Sequence, residues 1–168
     1  MKVFLGGIVA GLAIAFVAIQ FYRPARTNPR IDPKNTIEPT MHVPPAVNAI
    51  LERSCNDCHS SKTTWPWYSK VAPASWYLAD HVREGRQELS FSQWGTYTAK
   101  RKDHKLEEIC GEVKNGKMPL PSYGRLHSHA RLSDADVQTL CGWAASARAG
   151  LAESSRTTAS AALPASIR

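Results

Sequence analysis

Cys55-Asn56-Asp57-Cys58-His59 places two thiols one helical turn apart, with a histidine directly after the second. That C-x-x-C-H spacing suits covalent capture of haem. Each thiol can add across one haem vinyl group as a thioether, and a turn of helix separates the sulfurs by the required distance. The histidine is then carried under the porphyrin face, where a ring nitrogen reaches the iron as proximal ligand. A zinc half-site or a redox dithiol is the competing chemistry. Zinc needs two further ligands at similar spacing, and the chain has neither a second C-x-x-C nor an H-x-x-x-H. The cofactor expected is therefore one haem c, attached through Cys55 and Cys58, with His59 on the iron.

A second axial ligand is sought downstream. Lys117-Met118-Pro119-Leu120-Pro121 is a loop in which a soft, neutral thioether can reach low-spin iron. Proline on both sides of Leu120 stiffens that loop. Met1 is terminal and Met41 precedes the haem helix, which leaves Met118 as the expected second iron ligand. His127 and His129 are the reserve candidates for a bis-histidine centre. His81 reads as a partly exposed polar residue rather than a ligand.

The elements that must position these groups read as helices. Pro44-Pro45 suits a helix start, and Val47, Ile50 and Leu51 form an apolar face leading into Cys55. Trp65, Trp67 and Tyr68 fall in a stretch that Pro66 and Pro73 keep from regular helix, and these rings are expected to pack on the haem. The carbonyl of Pro66 or Pro73 is the expected partner for the far nitrogen of His59. Ser75 can cap a helix through Leu89, with a stripe of Leu78, Val82, Gly85 and Leu89. A further helix runs from about Lys102 to Asn115 with Leu106, Ile109, Cys110 and Val113 on one face, and Asn115-Gly116 ends it. Ser133 with Asp134 and Asp136 starts the last helix, whose stripe is Val137, Leu140, Cys141 and Ala144. Cys110 and Cys141 both lie on buried faces. In an exported protein two thiols left over after haem attachment tend to pair, so a Cys110–Cys141 disulfide is expected, against inert buried thiols.

Residues Val3 to Phe21 are almost uniformly apolar, long enough as a helix to span roughly 28 Å. Gln20-Phe21-Tyr22-Arg23 offers no small-residue cleavage site, which favours an uncleaved signal anchor over a signal peptide. The expected organisation is a transmembrane signal anchor over residues 1–22, a Pro-rich extended linker over 23–43, a haem-binding domain over 44–149 and a disordered Ala/Ser/Thr-rich tail over 150–168. Four basic residues after the apolar segment argue for a cytoplasmic domain by the positive-inside rule. Haem attachment argues for export, and the more specific motif decides. The expected location is the bacterial inner membrane with the C-terminal domain in the periplasm.

The 21 basic residues exceed the 14 acidic ones, but from Pro44 to Gly150 the counts are fourteen and eleven. Basic residues are scattered and no nucleic-acid-binding motif is present, so no nucleic-acid partner is expected. Neither a Gly-rich phosphate loop nor a nucleophile motif occurs, which argues against hydrolase or transferase chemistry.

Several motifs in order extend the pattern: Cys-Asn-Asp-Cys-His-Ser at 55–60, Thr-Trp-Pro-Trp-Tyr-Ser at 64–69, Val-Ala-Pro-Ala-Ser-Trp at 71–76, His-Val-Arg-Glu-Gly-Arg at 81–86, Phe-Ser-Gln-Trp at 91–94 and Lys-Met-Pro-Leu-Pro-Ser-Tyr at 117–123. On these, residues 44–148 resemble the haem-binding-domain family of bacterial monohaem c-type cytochromes. Ser90 stands where that family usually has Asn. The resemblance implies an all-α cytochrome c-like fold around one covalent haem, with Cys55 and Cys58 as thioether sites, His59 proximal and Met118 distal. The expected function is that of a membrane-anchored electron carrier with an unidentified redox partner, rather than a catalyst. The alternative is a small-ligand sensor or peroxidase-like module with an open or displaceable distal side, served by His81 or Arg86.

Overall fold

In the computed structural model, which describes residues 2–161, the elements among the described residues are all helical. Helix α1 spans Lys2–Ile19. It stops where Gln20 and Phe21 turn back in tighter bonds, Gln20 N–H to the Val17 carbonyl (3.1 Å) and Phe21 N–H to that of Ala18 (3.2 Å). The Gln20 side chain is drawn to the domain instead: its Oε1 accepts from Ala72 N–H (2.9 Å) and its Nε2 donates to the Ala72 carbonyl (3.2 Å). Among the described residues no helix is long and apolar enough to cross a membrane. This corrects the expected transmembrane anchor over residues 1–22, which counted Gln20 and Phe21 into the apolar span. With it go the single membrane anchor as a partner and the inner-membrane, periplasm-facing location.

The segment 23–43 is likewise not a free tether. Arg26 donates to the Ser69 carbonyl (2.9 Å), Asn28 to that of Thr63 (3.0 Å), and the Trp76 indole to that of Tyr22 (2.9 Å). Asp32 caps a 3-10 turn at Pro33–Asn35, and the short helix α2 (Ile37–Thr40) buries Ile37 in the core. Gly95 marks how close this segment lies, since a Cβ there would meet the Asn35 Cα at 2.9 Å. Polar and proline-rich composition suggested an extended chain. Ile37, with Met41 and Val43 packed against the same core, and a set of backbone acceptors hold it down.

Helix α3 (Pro45–Ser54) opens on proline and buries Val47, Ile50 and Leu51. It runs into α4 (Asn56–His59), a single turn. A 3-10 turn at Trp67–Lys70 precedes α5 (Ala74–Glu88), and another at Phe91–Thr96 precedes α6 (Ala99–Lys114). Pro73, not Ser75, stands at the N-cap of α5, and Ser75 is buried. Helix α7 (Pro121–Leu126) and α8 (Asp134–Ala161) follow. Ser133 and Asp136 satisfy each other reciprocally at the start of α8: Asp136 N–H donates to Ser133 Oγ (3.2 Å) and Ser133 N–H to the Asp136 carboxylate (2.9 Å).

Helices α6 and α8 form the main pair. Cys110 is disulfide-bonded to Cys141, with Cα atoms 4.8 Å apart, while Arg148 binds Asp103 at 2.8 Å. Position falls on one helix as it rises on the other, so the pair is antiparallel. Leu106, Ile109 and Val113 meet Leu140, Trp143 and Ala144, and α3 closes the layer with Val47, Ile50 and Leu51. Helix α8 also corrects the expectation of a disordered tail. Leu151 packs on the core, and Ser155 and Thr158 bond back to carbonyls one turn earlier. Alanines extend the helix without needing an apolar stripe. Residues 162–168 of that tail lie outside the described residues.

Candidate functional site

The turn that carries Cys55, Cys58 and His59 is built by α3 ending early. Cys55 leaves helical geometry, and its carbonyl then accepts from both Cys58 N–H (3.1 Å) and His59 N–H (2.9 Å). The turn is braced from outside. Thr63 Oγ1 donates to the Asp57 carbonyl (2.6 Å), Thr64 N–H to the Asp57 carboxylate (2.8 Å), and Arg86 to the Ser60 carbonyl (2.8 Å). Arg86 further donates to Thr27, Asn28 and Thr63. Its guanidinium is therefore spent on holding the 60–63 loop and the N-terminal segment, which removes it from any ligand-serving role.

His59 is fixed by backbone. Its Nδ1 lies 2.9 Å from the Gly85 carbonyl and 3.1 Å from that of Leu89. Both oxygens only accept, so Nδ1 carries the proton and Nε2 keeps its lone pair. Burial pulls the imidazole below its ordinary pKa, so the ring is neutral and ready to ligate. The expected partners, the carbonyls of Pro66 and Pro73, are not used. The acceptors come instead from the end of α5: the Gly85 carbonyl, which also accepts the Leu89 N–H (2.9 Å), and the carbonyl of Leu89, the residue that caps the helix. Burial raises both thiols, Cys55 to about 12 and Cys58 to about 11, so neither is a thiolate at neutral pH.

Gly85 is the point of closest approach. A Cβ there would stand 2.8 Å from the Cys58 carbonyl oxygen and 3.3 Å from the Cys58 Cβ. A Gly85→Ala variant is expected to lose about 1–3 kcal/mol, as overpacking does, and to weaken the bond that orients His59. Gly111→Ala on α6, where nothing lies within 4 Å, is expected to gain up to about 1 kcal/mol from helix propensity. Thermal melts of the two variants check this: shifts of the same sign would refute the close approach.

Two adjoining cavities of about 250 and 260 Å³ flank His59 and share Ser54, Cys55, His59, Glu88, Met118 and Pro119. Leu89, Phe91, Ile109 and Val113 line the first, with Lys105, Glu108 and Glu112. Cys58, His81, Gly85, Leu120 and Tyr123 line the second. Met118 reaches this place through the end of α6. Gly116 adopts φ +65°, a left-handed conformation that suits glycine. That turn brings Lys117 N–H and Met118 N–H back to the Glu112 carbonyl (3.0 and 3.2 Å).

The structure thus brings together Cys55, Cys58, His59 and Met118, with His81 beside them. Trp65, Trp67 and Tyr68, expected to pack on the haem, line neither cavity. Trp67 is 76 % exposed, and Tyr68 turns its hydroxyl to His127 Nε2 (3.3 Å). Apolar side chains from α6 and the 89–91 segment replace them. Ile109 and Val113 sit one turn apart on a helix that ends shortly before Met118, and that spacing could have revealed them. His127 and His129 line neither cavity. His127 is stacked on Tyr123 at 4.2 Å, and Tyr123 donates to the Asp57 carboxylate at 2.6 Å. Burial, then Asp57, pushes the Tyr123 phenol well above its ordinary range, so it remains a donor.

The donor set suits haem: two thiols on one turn, a neutral imidazole with one nitrogen free, a thioether and apolar walls. The family model described as "Haem-binding domain" matches residues 14–146. Comparison with curated proteins and with solved structures gives no match.

Proposed function

The chain belongs to the haem-binding domain family, and from that premise we propose that it carries one haem c bound covalently through Cys55 and Cys58 and transfers electrons. The observation behind this reading is that Cys55, His59 and Met118 line one apolar cavity while His59 presents a free nitrogen. The haem supplies a one-electron iron couple when bound.

The chain's residues do the rest. Cys55 and Cys58, neutral through burial, are positioned as the two thioether sites. His59 is held as the proximal ligand, its tautomer set by the Gly85 and Leu89 carbonyls. Met118 would supply the second iron ligand, and its soft thioether would raise the reduction potential. Leu89, Phe91, Ile109 and Val113 keep water from the site, which favours the less charged redox state. With His59 and Met118 both available to hold the iron, the chain would leave a bound haem no open position for a substrate. That arrangement favours electron transfer over catalysis.

Covalent attachment is tested by the intact mass of protein matured in a host that attaches haem c, measured after denaturation. The expected mass is that of the chain plus one haem, and the Cys55→Ser/Cys58→Ser variant is expected to lose the increment. Haem that extracts freely from denatured wild-type protein would overturn the proposal.

A further inference from the structure

Asp57 sits inside the C-x-x-C-H motif, and both of its carboxylate oxygens are engaged outside it. One oxygen accepts from Thr64 N–H (2.8 Å) and the other from the Tyr123 hydroxyl (2.6 Å). Tyr123 lies in α7, the short helix that begins directly after the Met118-Pro119-Leu120 loop. Before that loop, Met118 N–H is tied to the Glu112 carbonyl. The loop is therefore fastened on α6 and on the Cys55–His59 turn, and the exposed Tyr77 hydroxyl adds a tie from α5 to Ser122 Oγ at 3.0 Å. The second fastening is one hydrogen bond to a charged acceptor, supported by the stack of Tyr123 on His127. Such charge-assisted bonds are among the strong ones.

We propose that the Tyr123–Asp57 hydrogen bond is a latch that holds the Met118 loop closed over the haem and so governs access of small ligands to the iron. Tyr123 and Asp57 are positioning residues. Neither ligates, but releasing the bond frees α7 from the turn that carries the cysteines, and Met118 loses its fixed place. The inference rests on the reading of Met118 as distal ligand.

The test compares carbon monoxide binding to reduced, haem-loaded wild type, Tyr123→Phe, Asp57→Asn, the double variant and Met118→Ala, with the far-red Met–iron band recorded in each oxidised form. Tyr123→Phe keeps the ring that stacks on His127. Asp57→Asn leaves one acceptor oxygen for two donors. Each single variant is expected to bind carbon monoxide about tenfold more readily than wild type and to show a weakened far-red band. Because both act through one bond, the double variant is expected to be no more open than the more open single. Singles that match wild type, or effects that add in the double variant, overturn the latch. If Met118→Ala also matches wild type in band and binding, it is the ligand assignment that fails; if Met118→Ala opens the site and the latch variants do not, the latch alone fails.

Discussion

In haem-loaded protein the Met118→Ala variant is expected to have a reduction potential lower by about 0.1 V, a modest share of the ~0.8 V range that axial ligation commands. It should also bind carbon monoxide readily when reduced. The direction follows from chemistry: a thioether favours reduced iron, and its removal leaves that position to water or to a harder ligand. Its specificity follows from placement. Met118 lines both cavities beside His59, whereas His127 and His129 line neither. His129→Ala is accordingly expected to leave the potential unchanged, and His127→Ala, which removes the stack on Tyr123, to move it far less than Met118→Ala. A potential that moves with either histidine and not with Met118 would assign the ligand elsewhere. Redox titration of the four proteins decides it.

Trp94→Ala is expected to cost about 3–5 kcal/mol, a large share of the ~5–15 kcal/mol that holds a domain together. Trp94 is fully buried and stands between Phe91 (6.3 Å) and Tyr97 (5.6 Å). The Tyr97 hydroxyl accepts from Ser90 N–H (2.9 Å), which closes the 90–97 turn on itself. Phe91 in turn meets the His59 ring edge-on at 6.4 Å. Losing the indole thus empties the core and loosens a wall of the cavity beside His59. Among the described residues no acceptor reaches Trp94 Nε1, so Trp94→Phe removes an unsatisfied donor along with some volume. Its cost is expected to be well under half that of the alanine variant. Denaturant unfolding measures both, and equal losses would contradict the packing described.

Where the sequence was legible, the signal was local. The stripe Val47, Ile50, Leu51 marks α3 because its spacing alone places those side chains on one face, and all three are buried. Asn115-Gly116 ends α6 because the turn requires a left-handed residue, and Gly116 supplies it. Ser133 and Asp136 form their cap from four consecutive residues.

What was missed depends on partners distant in sequence or on backbone atoms, which carry no residue signature. The acceptors for His59 are carbonyls 26 and 30 residues away, and any residue type offers a carbonyl. Prolines in 66–73 correctly barred an α-helix, yet could not say which way Trp65, Trp67 and Tyr68 would face. Gln20 falls inside the apolar run Val3 to Phe21, whereas its amide is paired with Ala72 across 52 residues. Arg86, a candidate ligand-side cation by sequence, is consumed by acceptors 23 to 59 residues away. The sequence marks Cys55, Cys58, His59 and Met118 as candidates, and the fold brings them together, while the walls and braces around them carry no such mark.

The central claim is that His59 and Met118 together ligate one covalently held haem. The optical spectrum of the wild-type protein, matured with haem c and recorded oxidised and reduced, tests it most directly. The expected result is a reduced c-type spectrum with a weak far-red Met–iron band in the oxidised form. An oxidised spectrum of high-spin or bis-histidine type, without that band, would contradict it.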